Sequence, residues 1–410
     1  MRLYEFEGKK LLASAGFAVP VAQIISSNSL VDVSKLSFPI FAKVQVLGGN
    51  RAQRSGVVRF EKGQEQEAKK TIHEWLNNGW NGEKIEYLLI EQAIQNIKKE
   101  HYFALRWDTT TRGPVVLYSA HGGSGIEQRQ KREKAKSEQT LETYRIDMRL
   151  VDHSLQEIAK KIFAHNTHGN DILKKLWQTF YTNDATLVEI NPLFELTDET
   201  FVAGDAKIDL DDLAAFRHPE WESYPKRTAF ARLPTAMEEE AKNINAMDHR
   251  GVAGASFFEF DGDIGIMASG GGASLLVMDA LMASGLKPAN YTEYSGNPSR
   301  EKVAALTTLV VSKPGLKGLL VIGGNANFTD IFETLAGVMD GLESAKPKVE
   351  FPIVVRRGGP RWQEAFEMVR KRAIQNQLHV TLFGPETSML EAVPALVKKV
   401  GLNTDTKHKK

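Results

Sequence analysis

The chain of 410 residues contains no cysteine. That absence removes disulfide staples, thiolate nucleophiles and cysteine metal sites together. It also has no apolar run of the roughly 18 residues that a membrane-spanning helix needs. Nor is there an excess of either charge. Lys and Arg number 52 against 51 Asp and Glu, a formal +1 that predicts neither nucleic-acid binding nor attraction to a membrane surface. The opening MRLYEFEGKK is too densely charged for a secretory signal. Without secretion, the glycosylation-type tripeptides at Asn290 and Asn327 carry no message. A cytoplasmic location is the expectation.

What is present is a globular composition, 42% hydrophobic and 25% charged, over a length that calls for two or three cores. No internal repeat stands out. Residues 1–215 mix strand-like runs (FPIFAKVQV, EYLLIEQAI, GPVVLYSA, TLVEINPLFEL) with charged stretches at 61–79 and 131–178 that read as helical. From about 255 the pattern changes. Short apolar runs (GDIGIMAS, GLLVIGG, FPIVVRRGG, HVTLFG) alternate with helical segments near 273–285, 299–311, 328–342, 360–376 and 386–400. That alternation predicts an α/β domain built on a doubly wound parallel sheet. Residues 216–250 hold three prolines and many charges, which places the connection there and gives domains 1–235 and 236–410. The tail TDTKHKK and the run KREKAKSEQ read as solvated.

In open parallel sheets, ligands sit beyond the carboxyl ends of the strands, where helix N-termini offer free amides. Three such ends carry unusual chemistry here: ASGGGAS (268–274), GGNANFTD (323–330) and VRRGGP (355–360). Neighbouring strand residues point to opposite faces, so at most one of Arg356 and Arg357 aims at a given site. The planar fork of arginine fits a carboxylate with two bonds. Glycine turns, amides, a Thr hydroxyl and one arginine suit a small polycarboxylate better than a nucleotide. The plainer alternative is three tight strand-to-helix turns with Thr329 as an N-cap.

Together with NYTEYSGNPS (290–299) and VVRRGGPRWQEA (354–365), these segments resemble the citrate-binding domain of ATP-citrate lyase, found also in the large subunit of citryl-CoA synthetase. The resemblance spans nearly all of 250–400. It implies citrate contacts from Gly271, Gly272, Asn327, Thr329 and Arg357. Asn325 falls where the family's loop is one residue longer, and is a further citrate candidate.

The first half carries two more stretches with chemistry. Lys43 lies inside the apolar run FAKVQV and is followed by a loop with Gly48, Gly49, Arg51 and Arg54. A lysine buried in a strand needs an anion, and such a loop suits a flap over phosphates; a plain hairpin with solvated arginines is the alternative. In VEINPLFELTDETFVAGDAKIDLDD (188–212), two strands bring Glu189, Asn191 and Asp205 together. Carboxylate and amide oxygens with substrate phosphates suit Mg2+, whereas a salt-bridge cluster with Lys207 is the bland reading.

KVQV…GG, EINPL and DAKIDLDDLAAFR resemble an ATP-grasp module, that of the succinyl-CoA synthetase β subunit and its relatives, over residues 1–217. The resemblance implies ATP with Lys43 on its phosphates, and Mg2+ on Asn191 and Asp205; Arg51 and Arg54 of the loop read above as a flap are further nucleotide candidates. It sets the hinge at 91–94, with Glu91 and Ala93, against adenine and Glu100 on the ribose. Glu189 would sit near the phosphoryl group passed on, with Lys43 as the other catalytic group. There are departures: Gln53 stands where the family carries a lysine, and His121 and Gly125 replace the acids of Glu-Gly-Gly-x-Asp. A flavodoxin-like parallel-sheet domain is expected after the ATP-grasp domain. In this family a phosphohistidine and the main CoA site belong to a partner module. Of ten histidines only His121 lies in a glycine-rich loop. The expectation is therefore half of an enzyme: the nucleotide- and citrate-binding subunit of a citrate–CoA ligase, acting in a hetero-oligomer. A succinate- or malate–CoA ligase β subunit, or a non-catalytic citrate-binding scaffold, are the alternatives.

Overall fold

A computed structural model describes residues 1–26, 31–33, 35–48, 51–123, 141–163, 168–225, 227 and 232–401. The run KREKAKSEQ, the tail TDTKHKK, Gly49 and Gly125 lie outside the described residues. The chain divides into two compact units, Met1–Leu233 and Pro234–Lys410.

The first unit holds two sheets. In the smaller, β1 (Ala22–Ser26), β4 (Tyr87–Gln92), β2 (Ile40–Val44) and β3 (Val57–Phe60) lie side by side in that order, all antiparallel. Helix Glu65–Asn78 turns Ala68, Ile72 and Trp75, at helical spacing, onto a core that includes Ile40, Ala42 and Val44. The larger sheet runs β10 (Lys207–Leu210), β8 (Ala185–Leu196), β5 (Ile97–Asp108), β6 (Gly113–Ser119), β7 (Glu142–Arg145), with β9 (Phe201–Ala203) beside β8. Helices Val151–Ile162 and Gly169–Thr182 pack onto its core through stripes such as Leu155, Ile158, Ala159 and Ile172, Leu176, Phe180. The helical reading of 131–178 therefore needs correction. Residues 142–145 form a strand paired with β6. Their charged, mostly exposed side chains are what a sheet edge carries, and in sequence they look like a solvated helix face.

The second unit is built on a parallel sheet in the order β13 (Ile264–Ser269), β16 (Gly318–Asn325), β17 (Ile353–Gly358), β18 (Val380–Phe383). Its inner strands read as unbroken apolar runs because both faces are covered. Helices Gly271–Ala283 and Met389–Val400 share one core with Ile266, Ile322 and Val354. Helices Arg300–Val311, Ile331–Ser344 and Trp362–Asn376 share another with Met267, Val321 and Val355. Alternate strand residues thus feed opposite cores, as strand geometry demands. Two short ladders, β11 (Val252–Ala253) with β15 (Tyr294–Ser295) and β12 (Phe258–Glu259) with β14 (Asn290–Tyr291), complete it. They hold residues 290–295 beside β13, where Ala268 bridges Glu293.

Candidate functional site

In the first unit, Lys43 and Glu91 are diagonal neighbours on one face of the β2–β4 pair. Helix Glu5–Ser14 adds Glu5 and Lys9, one turn apart and both buried. Lys43 Nζ lies 2.8 Å from Glu5 Oε1, contacts Glu91, and donates to Gly204 O at 3.2 Å. Lys9 Nζ sits 2.7 Å from Glu5 and 2.6 Å from Glu91. Arg51 closes the cluster, reaching Glu5 and both oxygens of Asp205 at 3.0 and 3.1 Å. Three cations therefore face three carboxylates. Burial pushes the Glu5 carboxyl up, but Arg51, Lys43 and Lys9 outweigh it and hold the group well below the usual carboxylate range. Burial lowers Lys43, while Glu5 and Glu91 more than offset that and keep it above the usual ammonium range.

The remaining nucleotide candidates are only partly gathered. Arg54 stays outside the cluster: its guanidinium lies 4.5 Å from the Trp80 ring centroid and 3.5 Å from Glu83. Glu100 is exposed on β5, beside Gly123. The Ala93 amide donates to Pro39 O at 2.8 Å, so the hinge N–H at that position is already engaged. His121 is exposed, and its amide donates to Ser119 Oγ at 3.3 Å.

Leu193 pairs with Ala203 and Lys207 with Glu189, so the register carried across the turn sets Asn191 opposite Asp205. Asn191 Oδ1 accepts from Gly123 N at 2.7 Å, and Asp205 is held by Arg51. Lys207 leans toward Glu189 at 3.7 Å, so Asp205's cation is the flap arginine. Among the described residues no group of three or more His, Asp or Glu forms a cage. One carboxylate and one amide oxygen fit a hard cation that keeps phosphates and water as its other ligands.

The second unit presents the opposite situation. Gly271 and Gly272 form the first turn of helix Gly271–Ala283, entered through Gly270 at φ +93°. A Cβ at Gly271 would stand 3.1 Å from Glu293 Oε2 and 3.6 Å from the Tyr291 hydroxyl, and one at Gly272 would meet nothing within 4 Å, so the backbone of this turn lies open to close approach. Asn327 is exposed and Thr329 buried. Thr329 is not the N-cap: Asp330 caps helix Ile331–Ser344, accepting from Phe332 N at 2.9 Å and Glu333 N at 3.2 Å. The Asn325 amide oxygen is packed against Gly358.

The two arginines part as the strand requires. Arg356 is satisfied by carbonyls of Thr387, Gly323 and Pro385 at 2.7, 2.8 and 3.1 Å. Arg357 is 1% exposed, its Cζ 5.5 Å from the Tyr294 ring centroid. Its Nε and Nη2 have no hydrogen-bond partner among the described residues, and neither do the buried hydroxyls of Thr292 and Tyr294. A buried guanidinium with unmade bonds costs several kcal/mol, roughly the desolvation penalty of one ion. Only an anion offsets that well. Sequence reasoning assigned no role to Glu5, Lys9, Thr292 or Tyr294. For the first two, the signal was a Glu–Lys pair one turn apart in a helix beside a buried strand lysine.

An antiparallel two-sheet unit with a buried lysine, followed by a parallel-sheet unit with an orphaned arginine at a strand end, defines an ATP-grasp, CoA-ligase-type chain. A family model described as an ATP-grasp domain matches residues 2–195, and one described as ATP citrate lyase citrate-binding matches 235–399. The chain is 32% identical to the succinate–CoA ligase [ADP-forming] β subunit of Burkholderia mallei, covering 88% of this chain and 90% of that one. With the corresponding subunit of Methanocaldococcus jannaschii it shares 29% identity over 98% and 100% of the two chains. The solved structure of ATP citrate lyase from Methanothrix soehngenii, in complex with citrate and coenzyme A, matches with a TM-score of 0.76. That match has 23% identity and covers 97% of this chain and 99% of that one. The chain belongs to the succinate–CoA ligase β-subunit family.

Proposed function

We propose that the chain is the nucleotide- and citrate-binding subunit of an ATP-dependent citrate–CoA ligase. The observation that carries this reading is Arg357, buried with Nε and Nη2 unpaired, inside the stretch matched by the citrate-binding family. Gly271, Gly272, Asn327 and Thr329 would take the remaining carboxylates and the hydroxyl, with Asn325 at the edge.

A carboxylate is a poor acyl donor, and phosphorylation by ATP gives it a leaving group. Citrate takes the γ-phosphoryl group as citryl phosphate, ADP departs, and the CoA thiol displaces phosphate to give the thioester. In this reading the phosphoryl group travels on a histidine of a partner chain, which also holds most of the CoA. Lys43 and Arg51 neutralise phosphate charge, with Arg54 free to swing in from Trp80. Glu91 and Ala93 border the adenine, Glu100 the ribose, and Glu189 the group being passed on. Phosphates would compete with Glu5, Glu91 and Asp205 for Lys43 and Arg51, and the attraction to the phosphate charge must offset the cost of leaving those carboxylates short of a cation. Asn191 and Asp205 would hold Mg2+, which supplies neutralisation of phosphate charge when bound.

A succinate–CoA ligase β subunit is the second reading, favoured by relatives of that name at 29% and 32% identity. Calorimetric titration of the full chain with citrate, succinate and malate separates the two. Citrate should bind most tightly; tighter succinate binding ends the citrate assignment.

A further inference from the structure

Arg357 occupies its place because residue 323 has no side chain. A Cβ at Gly323 would stand 1.9 Å from Arg357 Nη1, 3.1 Å from its Cζ and 2.8 Å from Ser269 Cβ. The first and last lie below any real Cβ contact, and Ser269 is the register partner of Gly323 on β13, so a new Cβ cannot move toward β13 to spare the guanidinium. Neither Gly323 nor Gly324 has a positive φ, so the backbone alone does not call for glycine at either. The two differ in space: a Cβ at Gly324 would meet nothing within 4 Å.

Arg356 treats the same residue from the other face of the sheet. Its Nη1 donates to Gly323 O at 2.8 Å, while Nε and Nη2 anchor on the carbonyls of Thr387 and Pro385. One arginine thus pins the Gly323 carbonyl, and the next fills the volume its side chain would have taken. With Nη1 against the strand, the edge of Arg357 left unpaired is Nε–Nη2. That edge is one through which a guanidinium takes a carboxylate with two parallel bonds.

We propose that Gly323 is the positioning residue of the carboxylate site, admitting Nη1 of Arg357 so that its Nε–Nη2 edge grips one substrate carboxylate side-on. This rests on the reading of the site given above. Arg356 acts with it by fixing the strand, so the adjacent arginines have separate duties: one holds the frame, the other the ligand.

The test uses the full chain carrying Gly323→Ala, Gly324→Ala, Arg357→Ala, and Gly323→Ala with Arg357→Ala together. Citrate affinity is read by calorimetry and stability by thermal melting. Gly323→Ala should weaken citrate binding about tenfold or more, the loss of roughly one charged hydrogen bond. Gly324→Ala should change it by less than about twofold. In the Arg357→Ala background, Gly323→Ala should add no further loss, since both act through one guanidinium. Melting needs no ligand: Gly323→Ala should lower the Tm, and adding Arg357→Ala should recover part of that loss by removing the clash with Nη1, while the 2.8 Å approach to Ser269 Cβ remains. Should Gly323→Ala fail to fold, recovery of folding in the double variant supports the assignment and failure to recover refutes it. Unchanged citrate binding in Gly323→Ala, or an equal Tm loss in both backgrounds, overturns the proposal. If Arg357→Ala itself binds citrate as tightly as the parent, the citrate reading falls, while the melting comparison still decides whether Gly323 positions Arg357.

Discussion

In the first unit, Lys43 and the partly buried Arg51 lie among Glu5, Glu91 and Asp205, and each of these charges has an opposite beside it. In the second, Arg357 is more deeply buried and its Nε and Nη2 have no hydrogen-bond partner among the described residues. Both sites hold buried cations, yet their resting states differ. The first holds its own counter-ions, which in the proposed function phosphates would replace. The second carries an uncompensated desolvation cost, so under the proposed function a bound carboxylate would return stability to the fold. The same contrast recurs within β17, where Arg356 is tied to three carbonyls and its neighbour Arg357 is left open.

The sharpest way to break this comparison is to remove one anion of the self-compensated cluster. Asp205→Ala should abolish ATP-dependent phosphorylation of the partner chain while leaving citrate binding intact. A variant that still phosphorylates the partner removes Asp205 from the metal-binding role. Glu5→Ala leaves Lys9, Lys43 and Arg51 short of one carboxylate in a buried setting. It should cost about 3–5 kcal/mol of unfolding free energy in denaturant titration, the size expected for breaking a buried ion pair. A loss of only a few tenths would mean the cluster is solvated.

The orphaned arginine should respond with opposite signs for binding and stability. Arg357→Ala should weaken citrate by roughly 2–3 kcal/mol, with ATP affinity unchanged. Arg357→Met, similar in volume and uncharged, should raise the Tm of the citrate-free chain, because an unpaired buried cation is removed. A lower Tm would show that Arg357 has compensation of its own.

A smaller effect appears with pH. Burial raises the Glu5 carboxyl, but Arg51, Lys43 and Lys9 outweigh it and leave the folded value well below 4.5. A depressed carboxylate stabilises the folded state fully above its unfolded value and loses that contribution as pH falls toward the folded one. Stability measured by melting should therefore decline as pH drops below 4.5, and Glu5→Gln should flatten that part of the profile. An unaltered acid limb in Glu5→Gln would place the titrating group elsewhere.

Much of the second unit was legible in sequence because its physics is local. Buried parallel strands are short apolar runs, the helices between them start within about three residues of the expected positions, and strand alternation alone separates Arg356 from Arg357. What stayed hidden depends on contacts between distant segments. Glu5 and Lys9 become partners of Lys43 and Glu91 only when helix Glu5–Ser14 folds against β2 and β4, 38 and 82 residues away. Gly323 looks like any turn glycine until Arg357 is seen in the space beside it. The strand Glu142–Arg145 was missed because an exposed charged edge and a solvated helix share one composition. The stretch 188–212 suggests that two strands bring Glu189, Asn191 and Asp205 together, and the register sets Asn191 across from Asp205, but the arginine that holds Asp205 comes from a loop about 150 residues earlier.

The most direct test of the central claim is a crystal structure of the full chain with citrate. The account predicts one citrate carboxylate bound side-on, its two oxygens about 3 Å from Nε and Nη2 of Arg357, with Gly323 backing the guanidinium. Citrate bound elsewhere, or a guanidinium that closes onto a protein carboxylate or carbonyl instead, would contradict it.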